Sequence, residues 1–469
     1  MKKKMDYYAN HSRPATRREF LSMGLTSFAA IAAVPSPWTF VRSLVQESEC
    51  GGSTKKFIPF LVFDCAGGAA LPANFLVGGM GGPKDLLKTY DQLGWNPVVT
   101  GIDESFGLPM AKGVSKILAG LVESSSQNAR DNLRMGSFCH RAQSDSSENL
   151  LSAAGLVAKL GYRGEHLSQS LGIMNSVSGG NSQMGLAPET FRALYLPHID
   201  TLVNAVGVSS QSALSALSKN QLKQLFATGS KISSLQLESS GDSATGALLS
   251  KLTTCSYEEN GKKAGGLAVD PRLDPVFQAV YQINQESQGN TESVIAAGVV
   301  RSVLKGISGP GVITIGDCDY HDGTQTKGDS RDRVIGIHIG RALQAAYELK
   351  RPFFFQLITD GGCSNTPGTR LWVSDANEKC MSVIGYFNPT GPAKQRQLQI
   401  GHYTEGQGAE PTAVGGMGSN PLKAAACAFA NYLSLQTSPS EFSSEFFQHV
   451  PSTLFDSTDE LQKTLIYET

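Results

Sequence analysis

The chain has 469 residues, of which 40% are hydrophobic, so it is long enough and apolar enough to bury a substantial core. Its formal net charge is −1 with the lysine and arginine residues scattered along the chain, which argues against a nucleic-acid partner. Eight cysteines show neither a C-x-x-C pair nor zinc-finger spacing. Composition therefore excludes wholesale disorder and names no partner.

The first residues, 1–33, have the layout of an export signal. A basic start leads into the stretch TRREFL at 16–21, and a short, mildly apolar run with small residues at its end follows. This run is too short to span a membrane as a helix. The arginine pair resembles a twin-arginine signal, which directs folded proteins to export. We therefore predict cleavage, a periplasmic or cell-surface location and no transmembrane segment in the mature chain. A basic tail before a core helix is the alternative.

After a linker at 34–56, the first part of an α/β domain is predicted at 57–200. It opens with the apolar run FIPFLVFD at 57–64, which is typical of a buried strand, followed by a glycine-rich loop. NPVVTGI, at 96–102, is a candidate second strand, and GVSKILAGLVESS follows as a helix or a strand-to-helix connection. SDSSENLLSAAGLVAKLGY, at 144–162, has the apolar spacing of an amphipathic helix that opens with a capping box.

Residues 201–288 change in character. Helical patterns alternate there with Ser- and Gly-rich stretches, so we predict a helical insertion. The second part of the α/β domain follows at 289–435, and a C-terminal segment at 436–469 ends the chain. The second part contains a helix, the strand GVITIGD, a long helix, the strands PFFFQLITD and KCMSVIGYFN, and a closing helix. This alternation predicts an α/β fold: a three-layer α/β/α sandwich with a mostly parallel sheet and a helical insertion.

Three predicted strands end in an aspartate: Asp64, Asp317 and Asp360. The carboxyl ends of parallel strands meet at one edge of a sheet, where ligands bind, so these side chains are expected close together. Carboxylates gathered in this way repel one another unless a cation, hydrogen bonds or raised pKa values offset the charge. An aspartate at a strand end is also a common helix cap or turn former, and that alternative applies to each of the three.

The loop that begins at Asp317 adds further ligand types. It reads DCDYHDG, so Asp319 and His321 follow at spacings that let a carboxylate and an imidazole reach one ion. His402 lies in a later glycine-rich loop of similar character. We predict a site for a divalent metal, which is zinc, manganese, magnesium or calcium. Its candidate ligands are Asp64, Asp317 or Asp319, His321, Asp360 and His402.

A serine cluster opens the helix predicted at 144–162. A hydroxyl at this place would lie near a helix N-terminus, so Ser144 or Ser147 is the candidate nucleophile of a covalent mechanism. Helix capping is the alternative role for the same side chains.

The twin-arginine signal, the strand that enters a glycine-rich loop and the late Asp-x-His loop before a long helix together resemble one known group. This group consists of twin-arginine-exported, poorly characterised proteins allied to the alkaline phosphatase and sulfatase superfamily. Its Gly-Trp-Asp-Thr-His motif, followed by Gln, is similar to Asp319-Tyr320-His321 followed by Gln325. Its Ser-Glu-Phe-Gly-Arg strand end corresponds to Asp360, and its closing glycine- and histidine-rich loop to the segment around His402.

The resemblance extends from Phe57 to Leu435 and implies an alkaline-phosphatase-like fold with a metal-dependent hydrolase acting on a small phosphate or sulfate ester. The chain departs from the group at Asp360, which is followed by two glycines instead of a histidine. It also lacks the glutamate and arginine of the later motif. Two hypotheses therefore stand: an ester hydrolase, and a non-catalytic exported surface or assembly protein that retains the fold.

Overall fold

A computed structural model describes residues 57–142, 150–162, 170–173, 193–206, 269–320, 323–369, 371–373, 377–412 and 417–468, with isolated positions between 164 and 232. These residues belong to one compact unit that extends from Gly51 to Thr469. The predicted export signal, the linker and most of the predicted insertion lie outside the described residues.

The described residues form twelve strands. They are β1 (Phe60–Cys65), β2 (Ile102–Asp103), β3 (Met110–Ala111), β4 (Leu133–His140), β5 (Leu171–Gly172), β6 (Leu194–Tyr195), β7 (Gly311–Ile315), β8 (Phe353–Thr359), β9 (Ser364–Asn365), β10 (Trp372–Val373), β11 (Cys380–Phe387) and β12 (Gln399–Ile400). Eight of them form one sheet in the order β12-β4-β11-β8-β1-β7-β5-β6. β11 runs antiparallel to β4 and β8, and the other pairings in this sheet are parallel. The sheet is therefore mostly parallel, as predicted.

The same part of the chain forms eleven helices. They are α1 (Pro97–Thr100), α2 (Lys116–Ser124), α3 (Gln127–Asp131), α4 (Ala154–Lys159), α5 (Ile199–Val206), α6 (Pro275–Tyr281), α7 (Glu292–Leu304), α8 (Gln325–Glu348), α9 (Pro421–Ser434), α10 (Pro439–His449) and α11 (Thr458–Lys463). Within the described ranges, no helix has the length and apolar character needed to cross a membrane.

Two hydrophobic cores cover the two faces of the sheet. Along β1, Leu61 and Phe63 belong to one core, while Phe60 and Val62 belong to the other. The division arises because successive side chains of a strand point to opposite faces. Helices α2, α7 and α8 pack in the first core together with α5 and α6, whereas α4, α9 and α10 pack in the second. The predicted α/β/α layering is thereby confirmed.

The strand predicted at 96–102 is wrong, because most of this segment forms the short helix α1. The Asn96 side chain accepts a hydrogen bond from the Val98 amide at 2.9 Å, and Pro97 occupies the first helical position. Val98 and Val99 are 81% and 80% exposed, so the apolar pair that suggested a buried strand lies on the surface. Ile102 and Asp103, which follow α1, form β2 and pair antiparallel with β3.

No strand is predicted from the sequence at Leu133–His140, yet β4 lies inside the main sheet between β12 and β11. Its sequence, LRMGSFCH, contains no valine, isoleucine or threonine, the residues most typical of strands. Pairing with strands on both sides outweighs this weak local preference. β4 brings His140 and Arg141 to the same sheet edge as the strand-end aspartates.

Candidate functional site at the carboxyl edge of the sheet

Three parallel neighbouring strands carry the predicted acidic residues. β1 lies between β7 and β8, with Asp64 in register with Thr314 of β7. The Asp360 amide, directly after β8, donates a hydrogen bond to the Cys65 carbonyl at 3.3 Å. The loops that follow these strands therefore lie side by side, and we call this the carboxyl edge.

The glycine-rich loop after β1 fits closely against the two other loops. Gly67 has a φ of +103°, and a Cβ atom built there would lie 3.5 Å from the Cβ of Asp319. Gly68 has a φ of +83°, and its Cβ would lie 3.3 Å from the carbonyl oxygen of Asp360. Such φ values favour glycine. The two glycines therefore allow the loop after β1 to approach the segments that carry Asp319 and Asp360.

The acidic residues differ in accessibility. Asp64 is fully buried, and its Oδ2 accepts a hydrogen bond from Thr314 Oγ1 at 3.0 Å. Asp319 is half-buried, and Asp360 is 8% exposed. Asp317 has a φ of +62° and a side chain that is 73% exposed, with its Oδ1 3.1 Å from Lys327 Nζ. Of the alternatives Asp317 and Asp319, the second is therefore the one whose side chain lies against the loop after β1.

His402 follows the edge strand β12, and two strands, β4 and β11, separate β12 from β8. Its Nε2 lies 3.9 Å from Glu410 Oε2. His321, Ser144 and Ser147 lie outside the described residues. Within the described ranges, no group of three or more His, Cys, Asp or Glu side chains is arranged to hold a metal ion. The described carboxylates thus do not form a metal centre by themselves.

A buried Ser–His pair that the sequence does not predict lies beside the carboxyl edge. His140 Nε2 lies 2.8 Å from Ser382 Oγ of β11, and His140 Nδ1 lies 3.3 Å from the Arg141 carbonyl oxygen. Because a carbonyl only accepts, Nδ1 carries the proton and Nε2 accepts from the Ser382 hydroxyl. Complete burial lowers the pKa of His140 to about 4. No local signal predicts this pair, since it depends on the register between β4 and β11.

Replacing His140 with glutamine is expected to reduce the loss of stability in acid. Between the ordinary histidine pKa of 6.5 and the folded-state pKa of about 4, the unfolded chain binds a proton that the folded chain does not. This group therefore lowers the free energy of unfolding as pH falls through that window, by about 3 kcal/mol in total. Urea unfolding at pH 7 and pH 4 measures the loss. His198→Gln, which alters a partly exposed histidine, is the control. Equal acid losses in wild type and His140→Gln would contradict this assignment.

A buried acid network anchors the loop after β7. The Tyr320 hydroxyl lies 2.8 Å from Asp329 Oδ1 and 2.9 Å from Asp332 Oδ2, and Asn74 Nδ2 donates to the same Asp332 oxygen at 2.7 Å. One hydroxyl proton cannot serve two carboxylates, so a second proton is required. Burial raises the pKa of Asp332 to about 7, which identifies it as the acid that holds this proton.

Asp329 and Asp332 both lie within the long helix α8, which begins at Gln325. Tyr320 directly follows Asp319 in sequence, and its ring packs at 4.9 Å from that of Trp372. The network therefore fixes the backbone beside one of the candidate acidic residues.

Comparison with protein-family models, curated proteins and solved structures gave no match to this chain.

Proposed function

We propose that the protein is an exported hydrolase of phosphate or sulfate esters whose centre is the carboxyl edge. The observation that supports this best is the convergence of the loops that carry Asp64, Asp319 and Asp360 after adjacent parallel strands. Ligands of α/β sheets bind at this edge. A carboxylate held there can accept a proton from an attacking water or hydroxyl.

The three acidic residues are suited to different tasks. Asp64 is fully buried and bonded to Thr314, so it helps to orient the edge. Asp360 directly follows β8 and keeps some exposure, so it is the better candidate for contact with substrate. The divalent cation predicted from the sequence remains part of the proposal, with His321 as its nitrogen ligand. Such a cation supplies charge stabilisation to the transferring group.

Asp360→Asn is expected to lower kcat/KM for ester hydrolysis by about 100-fold or more, the usual effect of losing a positioned general base. The full-length protein is assayed with p-nitrophenyl phosphate and p-nitrophenyl sulfate, with each of the four candidate cations and with a chelator. Asp317→Asn is the matched control, because its exposed carboxylate pairs with Lys327.

Retention of near-wild-type activity by Asp317→Asn, with loss in Asp360→Asn, supports the proposal. Absence of hydrolysis by the wild type under every condition, or equal losses in both variants, would overturn it. Elemental analysis of the same preparations, extended to His321→Ala, tests the cation separately.

A non-catalytic exported surface or assembly protein is the second candidate. Two observations favour it: Asp64 is completely buried, and the described part of the chain holds no metal-binding group of three side chains. In that case the strand-end acids stabilise loops and the ester assays remain negative.

A further inference from the structure

Two cationic residues lie near each other at the carboxyl edge. β4 and β11 pair antiparallel, with His140 opposite Cys380 as the last pair of the ladder. Arg141 directly follows His140, and Lys379, which ends the short 3₁₀ helix Asn377–Lys379, directly precedes Cys380. The two positive charges repel each other, so this arrangement needs an offsetting partner.

Both side chains bind the same turn, which extends from Tyr403 to Ala409. Arg141 Nε donates to the Ala409 carbonyl at 3.1 Å, and Lys379 Nζ donates to the Gly406 carbonyl at 3.0 Å. The turn thereby holds the two cations in place, but neutral carbonyl oxygens do not cancel two positive charges.

Within the described part of the chain, the Arg141–Lys379 pair has few ion-pair partners. The Lys379 side chain is 3% exposed, and its ion-pair partner among the described residues is Glu378, whose Oε1 lies 4.0 Å away. Arg141 forms no ion pair with any residue that the structure describes, and no acceptor is present there for its Nη1 and Nη2. Burial lowers the pKa of Lys379, and the charge of Arg141 lowers it further. Among the residues that the structure describes, the site therefore combines donors without acceptors and an excess of positive charge.

Space is also open beside the backbone of Gly361. Gly361 is adjacent to the start of β11, because its carbonyl oxygen accepts a hydrogen bond from Cys380 Sγ at 3.4 Å. A Cβ atom built at Gly361 would meet nothing within 4 Å. Asp360, the acidic residue proposed to contact substrate, directly precedes this glycine.

We propose that Arg141 and Lys379 bind the oxyanion of the substrate, a phosphate or sulfate group. A guanidinium offers two parallel N–H donors that match two oxygens of such a group, and the ammonium adds a point charge. The inference names the chemical group recognised at the carboxyl edge and in that respect rests on the proposed function. Anion binding is nevertheless measurable without hydrolysis.

Isothermal titration calorimetry of the full-length protein with inorganic phosphate, and separately with sulfate, tests the inference. We expect one site in the wild type and a Kd at least about tenfold weaker in Arg141→Gln and in Lys379→Gln. Arg134→Gln is the matched control. Arg134 is also half-buried and donates to the carbonyl oxygens of Asp131 and Leu133, but it lies at the opposite end of β4. Cooperative urea unfolding verifies that each variant is folded. Because Lys379 is almost completely buried, the result for the half-buried Arg141 decides whether the oxyanion site stands.

The outcomes separate the two proposals. No binding of either anion by the wild type, or unchanged binding in folded Arg141→Gln, overturns the oxyanion site. Anion binding that depends on Arg141 without hydrolysis of any ester leaves the oxyanion site standing and removes the proposed function. Ester hydrolysis with a KM that is unchanged in Arg141→Gln supports the proposed function and overturns the oxyanion site. The tighter of the two anions identifies which ester class the site recognises.

Discussion

Asp332→Asn is expected to raise the free energy of unfolding above pH 7 by up to about 4 kcal/mol. Asp332 is completely buried, and its pKa rises from the ordinary 3.8 to about 7 in the folded chain. Below pH 3.8 the acid is protonated in both folded and unfolded chains, so it costs nothing. Between pH 3.8 and 7 the unfolded chain loses this proton while the folded chain keeps it, so the free energy of unfolding falls through that window and stays low above it. Asparagine cannot ionise, and its side-chain oxygen still accepts the hydrogen bond from Asn74.

Urea unfolding of wild type and Asp332→Asn between pH 4 and pH 8.5 measures this difference. The two proteins should converge near pH 4 and separate as pH rises. Asp317→Asn serves as the control, with a difference from wild type that is small at every pH because its carboxylate is exposed. A difference for Asp332→Asn that is independent of pH would show that the carboxyl is not held protonated.

The wild-type profile alone would conceal this effect. His140 makes the folded chain less stable as pH falls between 6.5 and 4, whereas Asp332 makes it less stable as pH rises across much of the same interval. The two groups therefore oppose each other, and only the single variants separate their contributions.

Gly336→Ala is expected to lower the free energy of unfolding by about 2 kcal/mol, although alanine is the better helix former by about 1 kcal/mol. A Cβ atom at Gly336 of α8 would lie 2.1 Å from the Ile117 carbonyl oxygen of α2. Gly120 of α2 makes the reciprocal approach, 2.1 Å from the Arg333 carbonyl oxygen. Because these contacts involve backbone atoms, no side-chain rotation relieves them, and the two helices must separate.

Chemical denaturation of Gly336→Ala checks this result. Ser330→Ala, at an exposed position of the same helix, isolates the effect of helix propensity and should leave stability nearly unchanged. A Gly336→Ala variant more stable than the wild type would mean that propensity outweighs packing and that α2 and α8 are not in close backbone contact.

Some elements of the site could be predicted because their signals are local. β1, β7 and β8 are short, continuous apolar runs, and such runs indicate strands buried on both faces. Helical patterns between them require crossover connections and therefore parallel pairing, so their carboxyl ends meet. The grouping of the loops that carry Asp64, Asp319 and Asp360 at one edge follows from these two facts.

Two elements differ from the sequence prediction for different reasons. At α1 the deciding signal is local: the Asn96 cap and Pro97 at the first helical position outweigh the strand preference of Val98 and Val99. β4 has a weak strand signal and forms because neighbouring strands pair with it on both sides. Local pattern describes one segment at a time, so it misses elements that pairing creates.

The sequence by itself determined the layered α/β architecture and the sheet edge at which a ligand would bind. Only the tertiary structure decided which polar groups meet there: the His140 ring with Ser382, 242 positions away, Tyr320 with Asp332, and Arg141 with Lys379 through one turn. The physical reason is that strand periodicity depends on local burial, whereas register between β4 and β11, and the depth at which each acid is buried, depend on the packing of the whole unit.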